Sequence, residues 1–445
     1  MLIRATFANL YSFDTPQSIS FVAGKGRTLP THVVKGKSRN DPSLLKAAIV
    51  YGANASGKSN LVKCFAFARR LIVKGSSVDE RIPRVPFRLR PGAAKEPSRF
   101  EFELDLAGHM YAYKLVFDDN VIIEESLTRI LATTERPLFV RTWTGTASQV
   151  IFSENFATKE ERQRFQFIAQ NTRPNQPFLT ETIESNSDRY RPVYDWFRYG
   201  LVVIYPEAIF SNLGPAIQSN ENLKSLYKSF FRDLGLGIAD IKEVPVEREH
   251  FLKEIPVEVV NEIKKDLKSD GHVTITGSPK ERYHVTKNQE GDLVPYKILI
   301  SHEVAGTKEQ IPFELKDESD GTLRLIDLIP ALADLCKHER LYVIDELDRS
   351  MHAQLTRAFL EYFFSCSTSR SQILATTHEL DLLDLELLRK DEIWFVEKDA
   401  TSASNLYSLE EFKPRYDKDI RKGYLQGRFG GIPIIRNPGK LGWEK

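Results

Sequence analysis

Hydrophobic and polar residues alternate over much of the first 150 residues, with a period of two that predicts β-strands. The clearest case is RFEFELDL at residues 99–106, which the short turn Ala107-Gly108 joins to HMYAYKLVF. Two alternating runs joined in this way are typical of a β-hairpin. In the same region LLKAAIVYG is a continuous apolar run that predicts a buried strand, and KSNLVKCFAFARRLIVKG has the apolar spacing of a helix.

The pattern changes to helical spacing between residues 154 and 270. The predicted helices are KEERQRFQFIAQ, DRYRPVYDWFRYG, NENLKSLYKSFFRDLG and PVEVVNEIKKDLKS, and LVVIYPE is a predicted strand between the second and the third. Strands return in HVTITG and YKILISHEV. The last part of the chain predicts helix, strand, helix, strand, in TLRLIDLIPALADLCK, RLYVIDE, QLTRAFLEYFF and QILATTHE. We therefore expect an α/β fold.

The stretch IVYGANASGKSN, residues 49–60, lies between a predicted strand and a predicted helix. It matches G-x-x-x-x-G-K-[ST], a loop whose backbone N–H groups surround the phosphates of a nucleotide. Lys58 is expected to reach the β- and γ-phosphates, and the Ser59 hydroxyl to bind Mg²⁺. A chance match in a glycine-containing turn is the alternative, but strand, loop and helix in this order favour nucleotide binding. The residues of the predicted nucleotide loop are Gly52, Asn54, Ala55, Ser56, Gly57, Lys58, Ser59 and Asn60.

Two later strands end in polar residues that suit ATP hydrolysis. RLYVIDE ends in Asp345-Glu346, where Asp345 is expected to hold Mg²⁺ through water and Glu346 to polarise the attacking water. An acidic strand end without such a role is a common alternative. ILATTHE ends in Thr376, Thr377 and His378, at the tip of a strand predicted to lie beside the Asp345 strand. His378 is therefore a candidate for a hydrogen bond to the γ-phosphate.

A second corner that suits phosphate precedes these strands in the chain. Ser319-Asp320-Gly321-Thr322 stands at the head of an amphipathic helix, and helix N-termini favour anions. A plain N-cap is the alternative, because Ser and Asp are favoured at that position. One nucleotide is not readily held by two such corners of the same protomer. We therefore expect this corner to serve the nucleotide held by another copy of the chain.

Together these motifs resemble a known family. The order of phosphate loop, Ser-x-Gly signature, Asp-Glu strand, LDRSMH and Thr-Thr-His resembles the ABC-type ATPase heads, including those of SMC proteins. More closely, the chain resembles the stand-alone ABC-type ATPases of bacterial abortive-infection and retron-type defence operons, relatives of the OLD ATPase. FANLYSF, RKDEIWFVEKD, LYSLEEF and YLQGRFGGIP extend the resemblance nearly from end to end, and PNQPFLT and WFRYGLVVIYPE carry it in the middle.

The resemblance implies that ATP and Mg²⁺ are the cofactors, and it implies a role for residues of the phosphate loop, the Asp-Glu strand and the Thr-Thr-His motif. It assigns phosphate binding to Lys58, Mg²⁺ binding to Ser59 and Asp345, catalysis to Glu346, and sensing of the γ-phosphate to His378. The chain has no glutamine between residues 58 and 149, so the usual Q-loop ligand cannot be placed.

The resemblance also implies residues that act on the nucleotide of a second copy. It assigns Ser319 and Gly321 to that contact and Asp348 to the loop between the two sites. The signature departs from that of transporters, since Asp320 and Thr322 stand where transporters have Gly and Gln.

The implied fold class is α/β, an ABC/SMC-head-like P-loop ATPase with a mixed β-sheet lobe and a helical lobe or insertion. We expect a first ATPase lobe over residues 1–150 and a mainly helical insertion over 151–290. The signature, Asp-Glu and histidine motifs then occupy 291–400, and 401–445 is a C-terminal extension.

Charge and cysteine content limit the partners and the location. Lys plus Arg number 62 against 61 acidic residues, a net charge of +1 that does not demand a nucleic-acid partner. Two local basic runs, GKGRTLPTHVVKGKSR and RIPRVPFRLR, either line a DNA or RNA groove or are solvated strand edges. Cys64, Cys336 and Cys366 stand far apart and are expected to be reduced in a cytoplasmic protein. No apolar run approaches the roughly 18 residues of a membrane span.

Several functions are open. Three related classes of protein fit this sequence poorly. A transporter subunit would be shorter, a chromosome clamp would need a coiled coil, and an OLD-type nuclease would need a Toprim-like domain after the ATPase. The preferred interpretation is an ATPase that dimerises through ATP and passes its nucleotide state to a separate effector, a nuclease or toxin, in anti-phage defence. The alternatives are a nucleic-acid-binding, ATP-gated clamp in DNA repair and a non-hydrolysing interaction scaffold held together by ATP.

Overall fold

The computed structural model describes residues 1–38, 41–153, 156, 158–267, 271–278, 280–307, 309–366, 370–414 and 419–431. The chain forms two compact units. The first unit consists of Met1–Tyr205, His338–Leu347 and Leu360–Lys445, as far as the last range is described. The second unit consists of Pro206–Lys337 and Asp348–Phe359. In this division the chain passes from the first unit to the second after Tyr205.

The strands, in chain order, are β1 (Leu2–Ala8), β2 (Gln17–Ser20), β3 (Val33–Val34), β4 (Leu44–Leu45), β5 (Ala47–Tyr51), β6 (Ser98–Leu106), β7 (His109–Phe117), β8 (Ile122–Ile130), β9 (Glu135–Trp143), β10 (Ser148–Phe152), β11 (Leu201–Ile204), β12 (Ile238–Pro245), β13 (His272–Ser278), β14 (Glu281–Lys287), β15 (Leu293–Glu303), β16 (Gln310–Glu314), β17 (Leu341–Ile344), β18 (Gln372–Thr376), β19 (Ile393–Lys398) and β20 (Ser404–Ser408). The α-helices are α1 (Lys58–Lys74), α2 (Lys159–Asn171), α3 (Phe178–Glu184), α4 (Arg191–Asp195), α5 (Leu213–Ser219), α6 (Glu221–Asp233), α7 (Arg248–Glu254), α8 (Val257–Asp266), α9 (Asp320–Leu335), α10 (Ala353–Ser365) and α11 (Ile420–Leu425).

Two large sheets lie in the first unit. One is antiparallel, with the order β10-β9-β8-β7-β6-β1-β2, and it contains the predicted hairpin as β6 and β7. The other has the order β11-β17-β18-β5-β19-β20 and is parallel from β11 to β19, with β20 antiparallel to β19. Because parallel strands end at the same edge of a sheet, the residues after β5, β11, β17 and β18 share one edge. This edge carries most of the predicted site.

Helix α1 connects the cores of the two sheets. The Phe65 ring packs edge-on against Phe7 and Phe102 of the antiparallel sheet, with ring centroids 5.1 and 5.7 Å apart. Val50 of β5 and Val343 of β17 belong to the same buried hydrophobic cluster. Burial of the apolar residues along the helix stabilises this arrangement, at about 25 cal/mol for each Å² of apolar surface removed from water. The helix that follows the nucleotide loop is therefore held firmly by its surroundings.

A buried ion pair fixes the middle of the first unit. Glu125 and Arg141 are fully buried, and Arg141 Nη1 lies 3.4 Å from Glu125 Oε2. The Glu125 carboxylate also accepts hydrogen bonds from the backbone N–H groups of Phe178 and Leu179, at 2.6 and 2.9 Å, and from the Tyr113 hydroxyl at 2.8 Å. A buried carboxylate is stable only when it is paired and hydrogen-bonded, and this one has four donors. The start of α3 is thereby attached to the antiparallel sheet.

The segment PNQPFLT, residues 174–180, also holds the end of α1. Asn175 Nδ2 donates to the carbonyl of Ser77 at 3.0 Å, and Gln176 Oε1 accepts from the backbone N–H of Ser76 at 2.9 Å. The Thr180 hydroxyl donates to a carbonyl of α1 at 2.6 Å. The Thr180 bond satisfies a carbonyl in the last turn of the helix, and the other two bonds hold the residues that directly follow it. Residues 174–180 therefore hold the C-terminal end of α1 in place through hydrogen bonds.

The second unit combines helices with an antiparallel sheet. The sheet has the order β12-β15-β14-β13, and β16 pairs with β15. Strands β12 and β14, which the sequence pattern does not predict, lie in the same part of the chain as helices α2 to α8. Their sequences, IADIKEVP and ERYHVTK, contain charged residues at both faces and lack the clear alternation of β6 and β7. For this reason the hydrophobic pattern of the sequence did not predict these two strands.

Helix α9 contains a proline in its interior, Pro330. Proline has no N–H, so the carbonyl of Ile326, four residues earlier, loses its usual helical partner. The hydroxyl of Tyr227, which is fully buried on α6, donates to this carbonyl at 2.6 Å. The tyrosine therefore satisfies a buried carbonyl that the helix itself cannot satisfy.

The cysteines differ from the sequence expectation. Cys64 is buried and free, but Cys336 and Cys366 are disulfide-bonded, so the prediction of reduced thiols is wrong for these two. Spacing along the chain does not report on the oxidation state of a thiol, which explains the error. Burial raises the pKa of the Cys64 thiol well above its usual range. In the described part of the chain, none of the helices combines the length and the apolar character that crossing a membrane needs.

Candidate functional site

The nucleotide loop turns sharply before α1. The helix begins at Lys58, directly after Gly57, whose φ is 121°. A Cβ atom at Gly57 would overlap with the Ser404 hydroxyl and would lie 2.9 Å from Ser12 Oγ, so only glycine fits. The Ser404 hydroxyl donates to the carbonyl of Ser56 at 2.6 Å and supports the loop from behind. The backbone can thus form the tight curve that a phosphate requires.

Lys58 lies inside the curve of the loop. Its side chain is buried, and Nζ donates to the carbonyls of Gly52 and Ala53 at 2.7 and 3.1 Å. Asn54 and Ala55 form the exposed outer part of the loop. The residue before α1 provides no capping side chain, so the first N–H groups of the helix are suited to an anion. The predicted loop residues thus form a tight turn in front of α1, and Ser59 and Asn60 follow Lys58 on the first turn of that helix.

Three strand ends meet around Asp345, which is buried. The Ser59 hydroxyl of α1 donates to Asp345 Oδ1 at 3.2 Å, and the Thr376 hydroxyl, from the end of β18, donates to the same oxygen at 2.6 Å. The backbone N–H of Asp345 donates to the carbonyl of Ile204 at the end of β11, at 2.9 Å. The structure thus brings the two predicted Mg²⁺ ligands, Ser59 and Asp345, within hydrogen-bonding distance.

Glu346 has a strained backbone that is held in place by Thr376. Its φ is 48°, in the left-handed region that non-glycine residues rarely occupy, and such residues are frequent at functional sites. Its N–H donates to Thr376 Oγ1 at 2.8 Å, and the N–H of Leu347 donates to the Thr376 carbonyl at 2.9 Å. Thr376 therefore contacts both carboxylate residues through one hydroxyl. The sequence placed Thr376 at this strand end but did not include it in the site, although its position two residues before His378 was a usable signal.

Tyr205 is a second residue that sequence reasoning missed. It follows Ile204 at the end of β11, and the parallel pairing of β11 with β17 places it beside Asp345. Burial, and then the negative charge of Asp345, raise the pKa of the Tyr205 hydroxyl. Tyr205 therefore follows β11 directly, beside the predicted Mg²⁺ ligand Asp345.

His378 lies at the same edge of the sheet. It follows β18 and is exposed, and the N–H of the preceding Thr377 donates to the carbonyl of Val50 at 3.1 Å. Since β18 lies between β17 and β5, His378 shares the sheet edge with Glu346 and with the nucleotide loop.

The signature residues lie in the second unit. Ser319 is the N-cap of α9, and its Oγ accepts from the N–H of Thr322 at 3.1 Å, so the capping role is real. A Cβ atom at Gly321 would lie 2.5 Å from the carbonyl oxygen of Ser350, so glycine is required for this close approach. Asp348 begins the same loop, and its carbonyl accepts from the N–H of Met351 at 3.0 Å. The structure thus brings the signature corner against the loop that contains Asp348.

Residues 47–384 match the family described as "AAA domain, putative AbiEii toxin, Type IV TA system". The chain belongs to this family. The match includes the nucleotide loop, the signature corner, the Asp-Glu strand and His378. Membership in this AbiEii-like AAA family makes the chain a P-loop ATPase family member, and the strands and helices of the structure confirm the predicted α/β fold class.

Two solved structures are similar to this AbiEii-like chain at low identity. The SMC head domain from Thermotoga maritima is 12% identical over 92% of this chain and 98% of that chain, with a TM-score of 0.37. The structure titled "Crystal structure of the SmcHead bound to the C-winged helix domain of ScpA" is 12% identical over 93% of this chain and 99% of that chain, with a TM-score of 0.41. At this level these likenesses carry no information on what this chain binds. No curated protein matches it.

Proposed function

We propose that this chain is an ABC-type ATP hydrolase that dimerises through ATP and passes its nucleotide state to a separate effector protein in anti-phage defence. The observation that supports hydrolysis most directly is that Asp345 accepts hydrogen bonds from the Ser59 and Thr376 hydroxyls, while Thr376 Oγ1 also accepts from the N–H of Glu346. The family description, which names a toxin, supports a role linked to an effector.

The residues fit Mg²⁺ and ATP chemically. The Ser59 hydroxyl and the Asp345 carboxylate are hard oxygen ligands, the type that Mg²⁺ prefers, and they already lie 3.2 Å apart. Lys58 and the first N–H groups of α1 suit the phosphates. Bound Mg²⁺ would neutralise phosphate charge. Glu346 would orient a water and accept its proton, and the exposed His378 would donate a hydrogen bond to the γ-phosphate.

We propose that the site is completed by a second copy, whose Ser319, Gly321 and Asp348 contact the nucleotide held by Lys58. Ser319→Arg should leave ATP binding intact and abolish hydrolysis, because the long cation occupies the corner. Thr158→Arg is the matched control, since Thr158 is also a helix N-cap, bonded to the N–H of Glu161 at 3.1 Å. Unchanged turnover in Ser319→Arg would refute the composite site.

Glu346→Gln tests hydrolysis itself. The amide keeps the size of the side chain and removes the base, so ATP-bound dimers should accumulate and turnover should cease. Light scattering with and without ATP measures the dimer, and phosphate release measures turnover. A Glu346→Gln chain that stays monomeric and hydrolyses ATP normally would remove Glu346 from its role. A parent chain that pairs with ATP and shows no turnover would favour the non-hydrolysing scaffold.

The effector is expected to be a nuclease or toxin, with the helix-containing region 150–290 and the tail 424–443 as its docking surfaces. Residues 432–443 of that tail lie outside the described residues. The purified chain should hydrolyse ATP and leave DNA and RNA intact, and co-expression with the product of the adjacent gene should give a stable complex. Efficient cleavage by the chain alone, lost on mutation of acidic residues other than Asp345 and Glu346, would contradict this proposal.

A nucleic-acid-binding, ATP-gated clamp is the second candidate, and the exposure of one basic run favours it. Lys25, Arg27, Lys35 and Lys37 are exposed, whereas Arg39 of that run lies outside the described residues. The second basic run is less available, because two of its arginines form ion pairs with carboxylates. Charge reversal at residues 25 and 27 should weaken DNA binding at low salt if the clamp is correct. Binding that is absent at low salt in the parent chain would exclude it.

A further inference from the structure

We propose that Lys280 is a positioning residue of the composite site: it neutralises Asp320, so that the Ser319 corner can accept the phosphate of a nucleotide held by a second copy. This inference rests on the proposed function. It concerns a residue outside every motif of the sequence and explains how a signature with an acidic residue can serve an anionic ligand.

The acidic residue presents an electrostatic problem. Asp320 is the first residue of α9, directly after Ser319, and its side chain is 69% exposed. A carboxylate at this position stabilises the helix through its dipole. The same carboxylate repels a triphosphate that approaches the helix N-terminus, because two negative charges a few ångströms apart interact strongly where water is excluded. An uncompensated Asp320 would therefore oppose the binding that the corner is proposed to perform.

Lys280 supplies the compensating charge. Its Nζ lies 3.0 Å from Asp320 Oδ1, and the lysine side chain is 42% exposed. A pair this exposed contributes little to the stability of the fold, typically about 0–1 kcal/mol. The pair therefore adds little to the stability of the fold, and its main effect is to neutralise the negative charge of Asp320 beside Ser319.

The lysine is held at the corner by a buried anchor. Arg282, the second residue of β14, forms a bidentate ion pair with Asp327 on α9, at 2.6 and 2.7 Å. Both side chains are almost fully buried, so the start of β14 is fixed against the helix that Ser319 caps. Lys280 is thus placed beside Asp320 by the backbone, and only the end of its side chain has to be ordered. Preorganisation of this kind reduces the entropic cost of binding.

A hollow of about 310 Å³ opens beside the corner and contains further basic side chains. Lys280 and Asp320 line it, together with Arg324 on the second turn of α9 and Arg349 from the loop after Asp348. Arg349 is paired with Glu207 at 3.1 Å. Lys280 directly precedes β14, Arg324 lies on α9, and Arg349 lies in the loop after Asp348. All three line the same hollow near the start of α9. Three carboxylates, those of Glu207, Asp320 and Asp327, also line the hollow, so loss of the Lys280 charge would leave the lining with more acidic than basic side chains and would oppose an anionic ligand.

The test measures ATP-dependent pairing in the Glu346→Gln chain, where dimers accumulate. Lys280→Ala should weaken pairing by about tenfold at low salt, and less at high salt, because the effect is electrostatic. ATP binding by the monomer should be unchanged. Asp320→Asn in the Lys280→Ala chain should restore pairing, since it removes the charge that the lysine compensated. Lys316→Ala is the matched control, an exposed lysine of the same unit paired with Glu314 at 2.8 Å.

The outcomes separate this inference from the proposed function. If the Glu346→Gln chain does not pair with ATP, the composite site is wrong and the role of Lys280 falls with it. If that chain pairs and Lys280→Ala pairs equally well, only the role of Lys280 is overturned. Failure of Asp320→Asn to rescue Lys280→Ala would also overturn it, because a merely structural lysine predicts no rescue. A rescue that is lost at high salt supports it.

Discussion

Replacing Thr376 by valine tests the proposed role of the sheet edge that carries Asp345 and Glu346. Valine has nearly the same shape as threonine and lacks the hydroxyl, and Thr376 is fully buried where this hydroxyl bridges two residues of the proposed site. The hydroxyl donates to Asp345 at 2.6 Å and accepts from the N–H of Glu346 at 2.8 Å. The substitution therefore removes both bonds without changing the volume of the side chain appreciably.

The expected loss of stability follows from the two bonds. A hydrogen bond to a charged group contributes about 1.5–3 kcal/mol, and a backbone N–H left without a partner costs about 1–3 kcal/mol when it is buried. Glu346 is half-buried, so the second cost is at the low end. We expect the free energy of unfolding to fall by roughly 2–4 kcal/mol. Urea denaturation measures this, with Thr376→Ser as the control that keeps the hydroxyl.

The expected effect on hydrolysis is larger than the effect on ATP binding. Lys58 and its loop do not depend on Thr376, so the affinity for ATP should change little. Glu346 loses the bond that holds its left-handed backbone, and each loss of about 1.4 kcal/mol in transition-state stabilisation lowers the rate tenfold. We expect kcat for ATP hydrolysis to fall about 10- to 100-fold in Thr376→Val. Phosphate release at saturating ATP measures it.

Two results would refute this reasoning. A Thr376→Val chain that hydrolyses ATP at the parent rate would show that the hydroxyl does not position Glu346. A Thr376→Ser chain that keeps the hydroxyl and is nevertheless as slow as Thr376→Val would show that the hydroxyl alone does not set the rate and that packing of the whole side chain matters.

The remaining predictions concern packing and backbone. Tyr227→Phe should lower the free energy of unfolding by about 1–2 kcal/mol, because it leaves a buried carbonyl without a donor, and Pro330→Ala in the same chain should recover part of the loss; urea denaturation of the single and double variants decides. Glu125→Gln should cost about 3–5 kcal/mol, since it leaves a buried arginine without its charge partner, and a melting temperature equal to the parent's would contradict this. Gly57→Ala should abolish ATP binding, measured with a fluorescent nucleotide. Gly145→Ala, which also has a positive φ but open space around it, should bind ATP normally.

The sequence predicted the elements whose residues carry a strong local signal. The loop before α1 and the strand ends at Asp345 and His378 combine apolar strands with polar tips, and each pattern is complete within a dozen residues. Thr376 and Tyr205 were not assigned because their importance comes from the order of parallel strands, which brings β11, β17 and β18 together from distant parts of the chain. The sequence did not point to Lys280 either, because its partner Asp320 lies forty residues later in the chain, at the start of α9.

The bond between the Tyr227 hydroxyl and the carbonyl freed by Pro330 has a consequence for how related chains evolve. The Tyr227 hydroxyl stabilises the fold because Pro330 leaves the carbonyl of Ile326 without a helical donor, and Pro330 is tolerated because the hydroxyl replaces that donor. The two positions should therefore vary together among homologues. Where an ordinary residue replaces the proline, phenylalanine at position 227 becomes acceptable. A lineage that lost the tyrosine first would pass through a less stable ancestor, so the proline is expected to be the first of the two to disappear.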